Sequence, residues 1–538
     1  MKGMGVLENL GKGLSIKSLV TMLKIGVPMA LSWTFSDTVV TIGAMSGHAP
    51  GNNQNNLASG ALIMGMLSSL VSIAQASMYA MNIYANSRLG QLQGKLKIIA
   101  ERGMDAPISP QEANELIVLR REISAVLKAG ILFGLPSVPL PMLSMYFSEW
   151  ILTGFFKQDP VIAGLAQRFL RPYSFALTMI ALCRMPIEQI LFSFEEQFAV
   201  MGLALLSFSI GTVAAYLFCF TFDFGLSGAA YGYLIEAMLT PLLFGLYLAH
   251  SSKFQDFNFF ASLFTCPNLG QDWPRIKELA RSGLPILLTV ATQVIVPLLF
   301  DVLAGKLPNS KEALAVQSFS SWLTFGVLIL GMAIGQGIAQ ETNRSRGRAL
   351  KMEGEFGCYE TSRFARGAVA GLGVLVLPIC LVAMIHPKFI IGMMSNPDRT
   401  DPRVIPLAET TIRITAAGLV FDVLGNAMVQ CLRSLNDNAV PSVIAITGLW
   451  LGLFFGALLG YKAELGVPGL AMGYLISNIM INAFILPRFL KKTRPEALAV
   501  VAHPVAESSA ATLWCCHHQS AGVPDDEVVQ YLLGGVDR

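Results

Sequence analysis

Ionisable and amide side chains stand inside segments of this chain that are otherwise apolar, and their spacing is helical. In residues 32–44, SWTFSDTVVTIGA, Thr34, Asp37, Thr38 and Thr41 fall at i, i+3, i+4 and i+7, so one helical face carries all four. A charge at mid-bilayer depth costs roughly 2.5–3.5 kcal/mol on insertion scales, so such an acid calls for a function or a partner. Pro28, nine residues earlier, lacks the backbone donor and can kink the same helix. An acid on a polar stripe beside a hinge suits a switch that binds and releases a proton or cation. The alternative is an acid held neutral by burial and hydrogen-bonded to Thr34 or Thr41. The stripe and the hinge favour the switch.

A second stripe lies in AGLVFDVLGNAMVQCLR, where Asp422, Asn426 and Gln430 fall at i, i+4 and i+8 beside Gly418 and Gly425. Small residues let helices approach and amides suit a wet cavity, although interhelical hydrogen bonding fits the same pattern. In LPILLTVATQVIVPLLFD, Thr289 and Gln293 are one turn apart, followed by Pro297 and Asp301. Gln293 can line a cavity or contact substrate but carries no proton. Asp301, near the outer end of its segment, fits a solvated end as well as an interior position. Glu188, Glu195 and Glu196 surround a turn and are read as solvated, while Gln317, Ser318, Ser320 and Ser321 are a weaker cavity lining.

Other chemistry finds little support. Cys515, Cys516, His517 and His518 are adjacent, which does not match structural zinc spacings, so no metal site is expected there. No Walker A, GxSxG or HExxH sequence occurs, which argues against ATP-driven pumping and hydrolysis. Eight scattered cysteines form no disulfide framework, and the N-terminus lacks the pattern of a cleaved signal.

The elements that must position these groups are transmembrane helices. Of 538 residues, 53% are hydrophobic and 14% charged, against about 25% charged in soluble domains. Mean hydropathy is +0.57. About twelve apolar spans are predicted, near 18–46, 57–86, 123–148, 161–188, 198–221 and 226–250, then 276–304, 312–342, 364–394, 404–432, 439–461 and 467–490. The chain is therefore an all-α polytopic membrane protein. A barrel would show alternating segments of about ten residues instead.

Net charge is only +3, but its distribution is uneven. Lysine and arginine crowd alternate connections (Arg88, Lys95, Lys97; Arg344, Arg346, Arg348; Lys491, Lys492, Arg494), whereas GHAPGNNQNN has neither. The positive-inside rule then places both termini in the cytoplasm of a plasma, or bacterial inner, membrane. GLSGAAYGYLIEAML (225–239) and GVPGLAMGYLISNIM (466–480) share seven of fifteen residues, and KIGVP (24–28) matches RSGLP (281–285). One six-helix unit has been duplicated, and an even number of helices gives parallel repeats. The expected organisation is an N-terminal six-helix lobe (1–250), a cytoplasmic linker (251–275), a C-terminal lobe (276–492) and a polar cytoplasmic tail (493–538). Two pseudo-symmetric lobes can enclose a central cavity and rock to open it to either side.

With these residues in place, the chain resembles the multidrug and toxic compound extrusion (MATE) family across roughly residues 20–490. KIGVPMALSWTFSDTVVTIGAMSGH is similar to that family's first helix, including Pro28 and Asp37-Thr38. FFKQDPVIAGLAQRFLRPYSF resembles the entry to its fourth helix, and GLPILLTVATQVIVPLLFDVLAGKL and FDVLGNAMVQCLRSLNDNAVP resemble helices seven and ten. The resemblance implies a secondary antiporter that exports organic, often cationic and amphipathic, compounds against H⁺ or Na⁺. It also implies that Asp37 and Asp422 serve cation coupling or cavity electrostatics. Two departures stand out: Gln293 replaces a glutamate of one branch, and Gly211 and Ala215 replace polar residues of helix five.

The expected mechanism has Asp37, with Thr34, Thr38 and Thr41, alternating between neutralised and charged forms beside the Pro28 hinge. Asp422 attracts cationic substrate, with Thr289, Gln293, Asn426 and Gln430 lining the cavity. No cofactor beyond the coupling ion is expected, nor any nucleic-acid partner, and the chain is read as a monomer. Two other readings are a flippase for a lipid-linked precursor, which calls for a basic cavity, and a non-transporting receptor or scaffold, which leaves the intramembrane acids unexplained. An enzyme would need a convergent catalytic set, and none is visible.

Overall fold

A computed structural model describes residues 16–36, 42, 45, 53–76, 78–101, 109–255, 257–264, 269–348, 354–394, 402–435 and 437–500. Backbone polar groups in hydrocarbon must pair within their own segment, so long apolar stretches become helices. In the N-terminal lobe these are α1 (Ile16–Ser36), α2 (Asn53–Ala76), α3 (Tyr79–Glu101), α4 (Pro110–Gly134), α5 (Pro139–Tyr146), α6 (Pro160–Thr178), α7 (Met185–Ser193), α8 (Gln197–Tyr216) and α9 (Leu226–His250). The C-terminal lobe has α10 (Leu269–Ala304), α11 (Ser310–Arg348), α12 (Gly354–Ile385), α13 (Pro387–Met394), α14 (Val404–Ser434), α15 (Ala439–Ala457) and α16 (Gly466–Lys492).

Among the described residues ten helices are long and apolar enough to cross a membrane, or eleven if the bent pair Pro110–Ser137 and Pro139–Tyr146 is one span. The first expected span, 18–46, begins in α1, and its later residues lie largely outside the described ones. The lobes meet where α11 packs on α1, α2 and α3, and where α10 packs on α2. α11 also carries the C-terminal lobe's own packing through α14 and α12.

The duplication is visible in the backbone. α8 and α15 both end in π-helical turns, Leu217–Thr221 and Leu458–Lys462. Asp223 and Glu464 then take φ of 54° and 56°, and Gly225 and Gly466 take 59° and 61°. Each pair is 241 residues apart. Beyond the turn, an ideal Cβ on Gly232 would lie 2.2 Å from Ala215 N, and one on Gly473 would lie 2.3 Å from Gly456 Cα. Both hairpins therefore depend on glycine where two helix backbones touch.

Several expected connections are helical instead. The basic stretch after the second span continues as α3, where Arg88 pairs with Glu278 and Lys95 with Glu115. The expected linker holds the short helices Ser252–Gln255 and Phe259–Phe264, and its last residues already belong to α10. Its aromatic side chains are the cause: Phe254, Phe257 and Phe259 are buried around Phe194.

Candidate functional site

α14 carries the second acidic stripe into the C-terminal lobe. Asn426 Nδ2 donates to Asp422 Oδ1 at 2.7 Å, one helical turn away. Tyr474 Oη of α16 donates to Asp422 Oδ2 at 2.6 Å. From α10, Gln293 Nε2 donates to Asn426 Oδ1. Three helices thus meet in the chain Gln293→Asn426→Asp422←Tyr474. The approach depends on glycine: an ideal Cβ on Gly418 would stand 2.9 Å from the Tyr474 ring, and one on Gly425 3.0 Å from Asn482 Nδ2. Asp422 and Asn426 are bonded one turn apart, as their spacing allows, while Gln293 and Tyr474 join them from helices that spacing along α14 does not reveal.

The other expected lining residues sit apart. Thr289 is fully buried and donates to the Pro285 carbonyl at 2.8 Å, so its hydroxyl faces its own helix. Gln430 lines a small pocket at the lobe interface, with Asn82, Asn86, Gln336, Gln340 and Ser434. There Asn82 accepts from Asn86 Nδ2 at 2.9 Å and from Gln340 Nε2 at 3.0 Å. Gln336 Nε2 donates to Gln189 Oε1 at 2.9 Å, and Arg344 reaches the Ser193 carbonyl at 2.7 Å. This amide network joins α3 and α7 of one lobe to α11 of the other.

A second small cavity lies beside the N-terminal half of α14, inside the C-terminal lobe. Gln317, Ser320, Ser321 and Thr415 give it a polar wall, and Tyr474 lines it from α16. Along α14, Thr415 marks one cavity and Gln430 the other, with Asp422 and Asn426 between them. The polar groups form a track along the helix.

Glu188, read as solvated, is buried, and so is Asp301, for which a solvated end and an interior position stood open. Glu188 is fully enclosed and pairs with Arg184 at 3.2 Å, because α7 is apolar around it and packs inside the lobe. Glu195 and Glu196 do mark the turn, yet each is paired: Glu195 with Arg344, Glu196 with Lys253 and Tyr247. Asp301 is 1% exposed, not solvated, because α2 of the opposite lobe covers it. Ser321 Oγ donates to its Oδ1 at 3.0 Å.

In the N-terminal lobe, Asp37, Thr38 and Thr41 lie outside the described residues. Thr34 donates to the Ala30 carbonyl at 2.8 Å. Pro28 is buried within α1. Next to it an ideal Cβ on Gly26 would meet Ile334 at 3.0 Å, and one on Gly337 would meet Ile25 at 3.1 Å. The expected hinge therefore sits where α1 crosses α11 of the other lobe. The sequence expectations omit Glu236 of α9, which is 3% exposed. It fills room left by Gly211, where an ideal Cβ would stand 2.6 Å from Glu236 Cβ and 3.0 Å from Oε2. The available signal was an acid in the repeated segment where the second copy has Ser477.

A family model described as MatE matches residues 285–458. A protein of Brucella suis described as "Probable multidrug resistance protein NorM" is 26% identical over 348 residues, covering 62% of this chain and 69% of that one. Its namesake in Mesorhizobium japonicum is 26% identical over 463 residues, covering 79% and 92%. Among solved structures, the eukaryotic MATE transporter AtDTX14 superposes with a TM-score of 0.73 at 17% identity, covering 91% of this chain and 99% of that one. A MOP-superfamily transporter from Pyrococcus furiosus gives 0.69 at 14%, covering 91% and 98%. At those identities the structural likeness establishes the two-lobed fold.

Proposed function

We propose that this is a MATE-family membrane protein, a multidrug exporter working as a secondary antiporter; the MatE match at 285–458 and the two-lobed fold shared with MATE transporters support that reading. The substrates are small organic, cationic or amphipathic compounds, exchanged for H⁺ or Na⁺. The protein works as a multi-pass monomer in the plasma or bacterial inner membrane, with both termini cytoplasmic.

The observation that supports this most directly is the Gln293→Asn426→Asp422←Tyr474 chain. An acid whose hydrogen-bond partners are neutral has no fixed counter-charge, so a proton, a cation or a cationic substrate can compensate it. Asp422 supplies negative potential within the C-terminal lobe. Asp37 is proposed as the coupling acid of the N-terminal lobe, with Thr34, Thr38 and Thr41 on its face. Neutralising it from outside changes the geometry above Pro28 and favours outward release; cytoplasmic loading accompanies the return.

The test is transport into proteoliposomes of the full chain, with pH and Na⁺ gradients imposed separately against a panel of organic cations and neutral compounds. Gradient-driven movement of cations, lost in Asp37→Asn, is the expected result. Movement that ignores both gradients, or an Asp37→Asn variant that transports normally, refutes the coupling scheme.

A further inference from the structure

Asp301 lies two turns beyond Gln293 on α10, against the surface where the lobes meet. Its Oδ1 accepts from Ser321, and its Oδ2 is directed at the other lobe. An ideal Cβ on Gly65 of α2 would stand 2.5 Å from that Oδ2 and 3.1 Å from Leu298 Cδ1. Only glycine at this point of α2 lets the carboxyl sit flat beneath the opposing helix. The groups facing it are Gly65 from α2, Ser321 and Gln317 from α11, and Leu298 from its own helix. None of these titrates, and among the described residues no lysine, arginine or histidine pairs with it.

A carboxylate 1% exposed and without a cationic partner among the described residues costs several kcal/mol. The contact with Gly65 leaves no room for a metal cation between the lobes. Ser321 and Gln317 also line the cavity that Tyr474 lines from α16, so Asp301 and Asp422 each bond a residue of one cavity wall. Asp301 thereby places an ionisable group on α10, where Gln293 carries none.

We propose that Asp301 is a proton-carrying carboxyl of the C-terminal lobe, neutral while Gly65 covers it and able to exchange its proton only when the lobes part there. On parting, the O–H bond at Asp301 breaks, the proton goes to entering water, and the carboxylate left behind is hydrated. The reverse transfer restores the neutral acid before closure. That the lobes part at all rests on the transport reading above; that Asp301 is a covered neutral acid does not.

The experiment is infrared difference spectroscopy on the purified full-length protein in lipid nanodiscs at neutral pH. Wild type is expected to show the carbonyl stretch of a protonated carboxylic acid that Asp301→Asn lacks and Asp422→Asn retains. In heavy water the isotope shift of that band is expected to be slow, and several-fold faster in Gly65→Ala, whose methyl displaces the cover. Should Asp301→Asn not fold, Asp301→Glu replaces it, and a shifted band gives the same answer. An identical carbonyl band in wild type and the position-301 variant overturns the proposal. So does an exchange rate that Gly65→Ala leaves unchanged. Neither readout uses a substrate or a gradient, so a chain that transports nothing refutes the transport reading while the band still decides Asp301.

Discussion

The Tyr474 hydroxyl stands 2.6 Å from Asp422 Oδ2, and the Tyr474 ring lies over Gly418 of the helix that carries Asp422. The donor and the glycine are one arrangement, because α16 reaches the acid only where α14 has no side chain. Tyr474→Phe removes the donor and is expected to cost about 1–2 kcal/mol, the usual worth of a strong interhelical bond in a membrane. Gly418→Val pushes the ring aside and is expected to cost about 1–3 kcal/mol through overpacking. Thermal unfolding in detergent measures both. If Gly418→Val is neutral while Tyr474→Phe is costly, the two features are separable.

Asp422→Asn keeps the shape of the carboxyl and removes its charge. Transport of cationic compounds is expected to fall by about tenfold or more, corresponding to roughly 1.4 kcal/mol of lost attraction, with neutral compounds less affected. Initial rates in proteoliposomes across a matched cationic and neutral panel check this. Equal loss for both classes assigns Asp422 a structural role.

The repeated hairpins predict a matched pair of sensitive glycines and one insensitive control. Gly232→Ala and Gly473→Ala place a methyl against backbone atoms 2.2 and 2.3 Å away, which forces helices apart. Each is expected to destabilise by about 1–3 kcal/mol despite alanine's better helix propensity. Gly202 has nothing within 4 Å of its ideal Cβ, so Gly202→Ala is expected to be neutral or to stabilise by up to about 1 kcal/mol. Melting temperatures of the three variants decide the matter.

Asn82 accepts from Asn86 and Gln340 while its own amide donates to Gln189 and Ser193. Asn82→Leu strands Gln340 Nε2 at the lobe interface, while Asn86 and Ser193 keep their bonds to the Asn82 and Gln189 carbonyls, at an expected cost of about 1–3 kcal/mol. The loss falls on the contact between lobes, so hydrogen–deuterium exchange is expected to rise in α3 and in the Gln336–Asn343 stretch of α11. Uniform exchange across the chain would show general destabilisation instead.

The Arg184–Glu188 pair is enclosed in the N-terminal lobe, with Glu188 on α7 and Arg184 closing the π-helical stretch Met179–Arg184 just before it. Arg184→Met strands a buried carboxylate and is expected to cost about 3–5 kcal/mol. Replacing both residues, Arg184→Met with Glu188→Leu, should recover most of that loss in the same unfolding measurement.

Local patterning determined a great deal here. Apolar runs must become helices in hydrocarbon, so the expected spans could be read directly, and the match between 225–239 and 466–480 announced a duplication that the π turns and paired glycines repeat in three dimensions. Helical spacing also put Asp422 and Asn426 on one face. What spacing does not encode is depth and what lies opposite, since both arise from helices far apart in sequence. Glu188 read as solvated, and Asp301 stayed undecided, because each lies near the end of an apolar run; α2 covers Asp301, and the N-terminal lobe encloses Glu188. Tyr474, Gly65 and the place where Glu236 fits against Gly211 became visible only once neighbouring helices were packed. Sequence alone supplies Asp37, as the acid of the first polar stripe, while tertiary structure decided that Asp301 is buried and that Asp301 and Asp422 each bond a residue lining one cavity.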